Sequence, residues 1–381
     1  MNEEELKAQR LFRSRKFLGK GCYSYVFSVT STNPYDRGKS YALKRYFPRE
    51  SSPLYCAKKE YNILKRITLD PCASSFLPKL YYAFAIHDSP ALVITEAMGI
   101  TIDDIVKING PLTEVQAKFY LTELVCGLKY LHSKSIVHLE LKSNNILIAK
   151  TGHTLIVDFD RSYDLMESDQ PPMKWDFIVN LAYAAPEIAS RLVITDKADI
   201  WSLGVLTAFL IGKFIRPKKM DRDSEKQAAI AGRWEIDGFS SLSRDLQDFF
   251  TQVFIFNYLE RPSIESLQSL AFFKDVNWNE VEQLRIKPPF SALHLRTFIK
   301  KGKRIFPSRN PTLLRCLFSY HMPKIAGNQS EHTKNSEGQR TLVLITPVVN
   351  NYDLTREVAS TALRKFNFIH PLLNYRRLLL K

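Results

Sequence analysis

The chain has little of what a secreted or membrane-spanning protein needs. Its five cysteines, Cys22, Cys56, Cys72, Cys126 and Cys316, are odd in number and show no C-x-x-C spacing. That argues against a disulfide framework and for a reducing compartment. The opening MNEEELKAQR has no apolar run of the kind a secretory signal carries. The longest apolar stretch, Leu203 to Ile215, is broken by Gly204, Gly212 and Lys213. It is shorter than the ~20 residues of a spanning helix, and it predicts a buried one. A cytoplasmic home is expected, with the nucleus as the other reducing choice. Negative charge is scarce too: 54 Lys and Arg stand against 39 Asp and Glu, a formal net charge of +15. Residues 300–381 hold fifteen of those cations and four of the anions, so most of the basic excess belongs to the tail.

What is present is a chain of 381 residues, 45% hydrophobic, longer than one average domain and able to bury a sizeable core. From Phe12 to Tyr46 apolar and polar residues alternate around turn signals such as Asn33-Pro34 and Gly38, which predicts an antiparallel, hairpin-rich sheet. Tyr61, Leu64 and Ile67 then recur at helical spacing. Strand-like Leu80 to Ala85 and Ala91 to Thr95 follow, and a long helical pattern covers Leu112 to His132. A small β-rich lobe thus precedes a large helical one. Past Pro288-Pro289, the polar run from Ala326 to Thr341 reads as a linker. Thr341 to Val349 is strand-like, and Leu354 to Phe368 has the pattern of an amphipathic helix.

Several short motifs carry chemistry. Gly19-Lys20-Gly21-Cys22-Tyr23-Ser24-Tyr25-Val26 fits G-x-G-x-x-[GS]-x-V between two strands, where missing side chains let backbone amides approach phosphates. Alone this is weak, since glycine pairs are common at strand turns. Further on come Tyr41-Ala42-Leu43-Lys44, the helical Glu60, the stretch HLELKSNNILI at 138–148, and Val157-Asp158-Phe159-Asp160. Ala185-Pro186-Glu187, Asp199-Ile200-Trp201-Ser202-Leu203-Gly204 and Arg261 complete the order. Together they resemble the landmarks of the protein kinase superfamily.

The resemblance implies an α+β, two-lobed fold with a kinase domain over 11–273, its small lobe about 11–96 and its large lobe about 99–273. An extension like that of the AGC group would occupy 274–325, and a linker and basic tail 326–381. It further implies ATP and Mg²⁺ as cofactors. Gly19, Gly21, Ser24 and Val26 would cover the phosphates, with Ala42 and Leu147 also in the cofactor-binding set. Lys44 would neutralise phosphate charge and pair with Glu60. Adenine would hang from the Glu96 carbonyl and Met98 amide, with Thr95 as gatekeeper. Lys142 would steady the transferring group, while Asn145 and Asp158 would hold metal. Glu187 and Arg261 would form a buried ion pair, and Asp199 would anchor the catalytic-loop backbone.

Lys142 in its L-K-x-x-N setting looks like the Ser/Thr-specific type. Phe76 to Phe84 and Phe272 to Trp278 resemble the AGC group. Ser24 and the Trp278 to Pro289 segment bring the chain nearest to the phosphoinositide-dependent kinase family, over roughly 11–290. Leu317-Phe318-Ser319-Tyr320 is set aside as a hydrophobic motif, because its first aromatic position would be Arg315.

Four positions depart from the family pattern. Glu140 replaces an Asp that orients the substrate hydroxyl and takes its proton; the extra methylene moves the carboxylate by ~1.5 Å. Asp160 replaces a Gly beside Asp158, and its carboxylate attracts Mg²⁺, repels the triphosphate or turns to solvent. Leu139 replaces an Arg that clamps a phosphorylated activation-loop residue. Asn180 stands where a Thr is usual. Asp176 falls where the phosphoinositide-dependent kinases carry a phosphoserine, which suggests a loop released from phosphorylation control.

Two readings follow: a Ser/Thr kinase of weakened activity with Glu140 as substitute base, or an ATP-binding pseudokinase that acts as scaffold or regulator. A protein substrate or regulatory partner is expected, and Lys218, Lys219 and Arg222 hint that it is acidic. The basic tail could touch an anionic membrane surface; no DNA partner is expected.

Overall fold

The aromatic and β-branched residues that alternate through the first hundred positions form strands β1 (Phe12–Lys20), β2 (Ser24–Ser31) and β3 (Ser40–Tyr46) in the computed structural model of the protein. The structure describes residues 11–47, 51–87, 89–95, 100–166, 171–213, 221–303, 317 and 368–371. Two compact units emerge. One gathers Met1–Ala57, Tyr81–Ile94 and Ser308–Lys381, and the other gathers Lys58–Leu80 and Thr95–Pro307. Helix α1 (Ser51–Leu69) is shared between them.

In the first unit, β4 (Leu80–Ile86) and β5 (Ser89–Thr95) extend the sheet. Antiparallel register sets Val26 opposite Lys44 and Ser28 opposite Ala42. Since side chains alternate across a strand, the pairs Tyr25 with Arg45, Phe27 with Leu43 and Val29 with Tyr41 share the other face. That second face is a buried aromatic layer, where Phe12 meets Tyr82 edge-on with ring centroids 5.2 Å apart and stacks on Phe84 at 5.8 Å. One carboxylate is admitted to it. Asp36 accepts from the hydroxyls of Tyr41 at 2.6 Å, Tyr82 at 2.8 Å and Ser31 at 2.5 Å, which satisfies a charge that burial would otherwise oppose.

The second unit is mainly helical: α2 (Ile102–Asn109), α3 (Glu114–Ser133), α4 (Pro186–Ala189), α5 (Lys197–Leu210), α6 (Arg222–Ile230), α7 (Arg244–Val253), α8 (Ile264–Gln268), α9 (Trp278–Glu282) and α10 (Ala292–Lys303). Short strands β6 (Ile136–Val137), β7 (Ile146–Ile148), β8 (Thr154–Ile156) and β9 (Tyr163–Asp164) frame its loops. Capping boxes start two of the helices, Thr101 with Asp104 on α2 and Thr113 with Gln116 on α3. α5 is buried on nearly every side and covers Leu203 to Leu210 of the stretch expected as a buried helix; it starts earlier, at Lys197, and ends at Leu210, and 214–215 lie outside the described residues. Phe76, Cys126 and Val281 form a core that Val276, Trp278, Leu284 and Ile286 cover, so the segment after residue 273 belongs to this unit's packing. Among the described residues no helix is long and apolar enough to cross a membrane.

The last element, β10 (Phe368–Ile369), pairs antiparallel with β4 and completes the six-stranded order β1-β2-β3-β5-β4-β10. His370 donates its backbone N–H to Tyr81 O at 2.8 Å and stacks on the Tyr81 ring. Phe368 was expected to close a helix and lies in a strand, because the open edge of β4 rewards an extended backbone with hydrogen bonds. The rest of that stretch, the strand-like Thr341 to Val349 and the polar run before it lie outside the described residues.

Candidate active site

The glycine-rich turn between β1 and β2 is closed by Gly21 N–H donating to Ser24 O at 2.9 Å. A Cβ added at Gly19 would meet nothing within 4 Å, so the backbone there is open to a phosphate. Ser24 is buried and Val26 half-buried. On the same sheet face Lys44 is buried, its Nζ 5.0 Å from the Tyr46 ring centroid. Lys44 belongs to the first unit and Glu60, also buried, to the second. Glu96 and Met98 lie outside the described residues; Thr95 ends β5, where its hydroxyl accepts from Lys79 N at 2.8 Å.

In the second unit the catalytic-type loop hangs on Asp199, at the start of α5. Its carboxylate accepts from the backbone N–H groups of His138 at 2.8 Å and Leu139 at 2.9 Å, while His132 Nε2 lies 2.9 Å away. This grip holds Leu139 at φ 62°, a left-handed backbone that costs a leucine about 1–2 kcal/mol. The loop's reactive side chains are thereby brought together. Lys142 Nζ is 2.9 Å from Glu140 Oε1, and Asn145 Nδ2 donates to the Glu140 carbonyl at 2.9 Å and to its Oε2 at 3.4 Å. Asn145 also accepts Val157 N–H on its backbone carbonyl at 2.9 Å, placing the loop beside Asp158.

His138 ties the two loops from behind. It is fully buried, and burial holds its imidazole below the ordinary 6.5 against the pull of Asp199, Asp158 and Glu140. The neutral ring then has one consistent tautomer: Nε2–H donates to Val157 O at 3.2 Å and Nδ1 accepts from Glu140 N at 3.3 Å.

Asp158, itself at φ 76°, joins Glu60 and Asp160 in a group whose carboxylate oxygens lie within 4.8 Å of one another. Asp160 is buried, which removes the solvent-facing alternative. Three hard oxygen donors at this spacing fit a divalent cation such as Mg²⁺. Leu147, on β7, is half-buried and bridges to Thr101.

In the activation segment, Asp176 is buried and paired with Lys59 at 2.8 Å. Asn180 turns onto its own loop, its Oδ1 accepting from Ala182 N at 3.1 Å. Glu187 and Arg261 form the expected pair, bidentate at 2.7 and 3.1 Å, with Arg261 lying over the Trp201 ring. Of the basic trio, Arg222 is exposed at the start of α6, whereas Lys218 and Lys219 lie outside the described residues.

Sequence reasoning passed over three participants: Lys59, Ser143 and His132. Lys59 had a signal, as a cation one residue before Glu60. Ser143 donates to Asp103 at 2.9 Å and lies 3.3 Å from the Tyr183 hydroxyl, a link between distant segments that no local spacing announces.

The first unit's glycine-rich turn and buried strand lysine, and the second unit's anchored Glu-Lys-Asn loop with the carboxylate group on the loop that follows, are each parts of a phosphoryl-transfer machinery of the kinase kind. The protein kinase domain family matches residues 12–273, and the chain belongs to it. Similar proteins include ribosomal protein S6 kinase alpha-2 of Homo sapiens, 29% identical over 284 residues that cover 73% of this chain and 38% of that protein. Ribosomal protein S6 kinase alpha-6 of Danio rerio is 28% identical, covering 73% of this chain and 37% of its own length. A putative ribosomal protein S6 kinase alpha-1 of Caenorhabditis elegans is 28% identical, covering 74% and 36%. The chain thus spans less than two-fifths of the length of these relatives.

Proposed function

We propose that the chain is a Ser/Thr protein kinase that transfers the ATP γ-phosphoryl group to protein hydroxyls at a reduced rate. The observation that carries this reading is Glu140. Its carboxylate is held by Lys142, and its carbonyl by Asn145, so the longer side chain sits in a formed catalytic loop. Glu140 orients the substrate hydroxyl and accepts its proton as the oxygen bonds to phosphorus and ADP departs. Lys142 steadies the negative charge of the moving group. In the first unit Lys44 and the Gly19–Val26 loop would hold the phosphates; in the second, Asp158 and Asn145 would hold Mg²⁺, with Asp160 beside Asp158. Bound Mg·ATP supplies the phosphoryl group and the cation that offsets its charge.

The S6 kinase relatives favour the AGC group. The nearer affinity to phosphoinositide-dependent kinases rests on Ser24 and on Trp278, which packs over the Cys126 core. Contact of the basic tail with an anionic membrane surface, and a cytoplasmic location, belong to the same proposal.

One observation favours the second reading, a pseudokinase that binds ATP and regulates a partner. Asn180 has no hydroxyl to offer the loop, and its Oδ1 accepts from Ala182 N–H. The test is radiolabelled phosphate transfer from Mg·ATP to a mixed Ser/Thr peptide library. Wild type is expected to transfer slowly, Lys44→Ala not at all, and Glu140→Asp on the order of 10²-fold faster than wild type, since about 1 Å of misplacement costs that much. Absence of transfer from wild type and from Glu140→Asp, with a nucleotide-dependent rise in melting temperature, would establish the pseudokinase.

A further inference from the structure

In the second unit, Ser143 stands between Lys142 and Asn145, and its side chain joins neither. Lys142 is extended at φ −145° and ψ 162°, so consecutive side chains diverge there. Lys142 reaches Glu140, while Ser143 turns inward and is buried together with Asp103 and Tyr183. The Ser143 Oγ lies 2.9 Å from Asp103 Oδ1 and 3.3 Å from the Tyr183 hydroxyl oxygen. A carboxylate only accepts, so the single hydroxyl hydrogen of Ser143 goes to Asp103, and the Tyr183 O–H donates to Ser143. Both ends of this chain are anchored. Asp103 lies in the first turn of α2, whose start is fixed by its capping box and by the bridge from Thr101 to Leu147. The other Asp103 oxygen is 2.5 Å from Lys107 Nζ. Tyr183 belongs to the activation segment, and its backbone carbonyl accepts from Ser202 Oγ on α5 at 2.8 Å.

We propose that Ser143 is a positioning residue for phosphoryl transfer, and that the chain Tyr183–Ser143–Asp103 holds the turn carrying Lys142 and Asn145 to α2 and to the activation segment. The inference rests on the reading of Lys142 and Asn145 as residues of a working transfer loop. That turn, Ser143–Asn145, is a single 3₁₀ turn closed by Asn145 N–H donating to Lys142 O at 2.9 Å. So short a turn, with the poorer hydrogen-bond geometry of its kind, does little to fix itself. The hydroxyl chain supplies the missing constraint from the buried side, without touching substrate or nucleotide. A hydrogen bond to a carboxylate is among the stronger ones available, and its loss inside the unit is felt in full. Loosening the turn misplaces Lys142 and Asn145 together, and displacements of about 1 Å at such groups cost on the order of 10² in rate. The same chain makes the loop sensitive to where the activation segment holds Tyr183.

The experiment uses the full chain, as wild type, Ser143→Ala, Tyr183→Phe, the double variant and Asp103→Asn. Two quantities are read: kcat and KM for Mg·ATP with a Ser/Thr peptide, and amide hydrogen exchange over residues 140–147 and over α3. Ser143→Ala is expected to lower kcat and to speed exchange over 140–147 by about tenfold each, the scale of one lost hydrogen bond to a carboxylate. KM for Mg·ATP and the exchange of α3 are expected to stay as in wild type. Tyr183→Phe removes one oxygen and keeps the ring, and a smaller loss of kcat, about threefold, is expected. The double variant should be no slower than Ser143→Ala alone, because both substitutions break the same chain. Asp103→Asn keeps an acceptor for Ser143 and should retain most of the wild-type kcat. Unchanged exchange over 140–147 in Ser143→Ala overturns the proposal. So does acceleration spread equally over α3, or a double variant whose loss is the product of the two single losses. If wild type transfers no phosphate, the kinase reading fails, while exchange over 140–147 still decides whether the hydroxyl chain holds the turn.

Discussion

Lys59 Nζ lies 2.8 Å from Asp176 Oδ1, an ion pair between the residue before Glu60 on α1 and the activation segment. The side chains are 15% and 3% exposed, so solvent screens the pair only in part. Lys59 also lies 5.5 Å from the Tyr163 ring, and Asp176 accepts Met173 N–H at 2.9 Å. A carboxylate encoded in the chain thus ties α1 to the activation segment.

Asp176→Ala is expected to destabilise the protein by about 2 kcal/mol, as for a lost hydrogen bond to a charged group. It should also slow phosphate transfer, and the charge swap Lys59→Asp with Asp176→Lys should recover part of both. Phosphatase treatment of wild type should leave its transfer rate unchanged. A rate that falls after that treatment would contradict a loop free of phosphorylation control.

Removing one partner of the Glu187–Arg261 pair should be more damaging. Arg261 is 1% exposed and also donates to Lys197 O and Ile255 O. Arg261→Ala leaves Glu187 buried without its counter-charge, an expected loss of roughly 3–5 kcal/mol. Urea unfolding of the purified variant measures it.

Asp160→Gly, which restores the usual family residue, should raise the Mg²⁺ concentration needed for half-maximal transfer. The Asp160 carboxylate oxygen lies within 4.8 Å of those of Glu60 and Asp158, so its removal takes one anionic donor from a shared cation. A shift of tenfold or more is expected in a Mg²⁺ titration at saturating ATP. A lower requirement would show that Asp160 repels the triphosphate more than it attracts metal.

The pH dependence of stability has a defined sign at His138. Burial lowers its affinity for a proton in the folded state, so the unfolded chain binds the proton more readily. The stability contributed by neutral His138 is complete above about pH 6.5 and is lost as pH falls below it. Its slope is at most about 1.4 kcal/mol per pH unit. The urea midpoint of wild type should drop between about pH 7 and pH 5.5, and His138→Asn should flatten that drop.

Cysteine reactivity separates by burial. The Cys126 thiol, packed against Phe76, is pushed up to about 12 by burial, which leaves almost no thiolate at neutral pH. Iodoacetamide should label exposed Cys22 and Cys72 in the native protein, and Cys56 and Cys126 only after denaturation. Mass spectrometry of the labelled peptides reads the result.

Much of this architecture is legible in the chain itself. Alternation from Phe12 to Tyr46 specifies a sheet, because side chains on a strand repeat every two residues. The spacing within HLELKSNNILI brings Glu140, Lys142 and Asn145 onto one loop, where local geometry keeps them within reach of each other. The order of the landmarks suffices for the two-lobed kinase fold and the family. What the chain does not reveal are the partners that meet across long loops. Asp176 finds Lys59 across 117 residues, Arg45 finds Leu317 across 272, and Phe368 leaves its helical pattern for the edge of β4. Asp160 could have faced water or metal, and only packing turned its carboxylate inward beside Asp158 and Glu60. Local periodicity is written in neighbouring residues, whereas the environment of a charge is the sum of everything that folds around it, and that sum exists only in the tertiary structure.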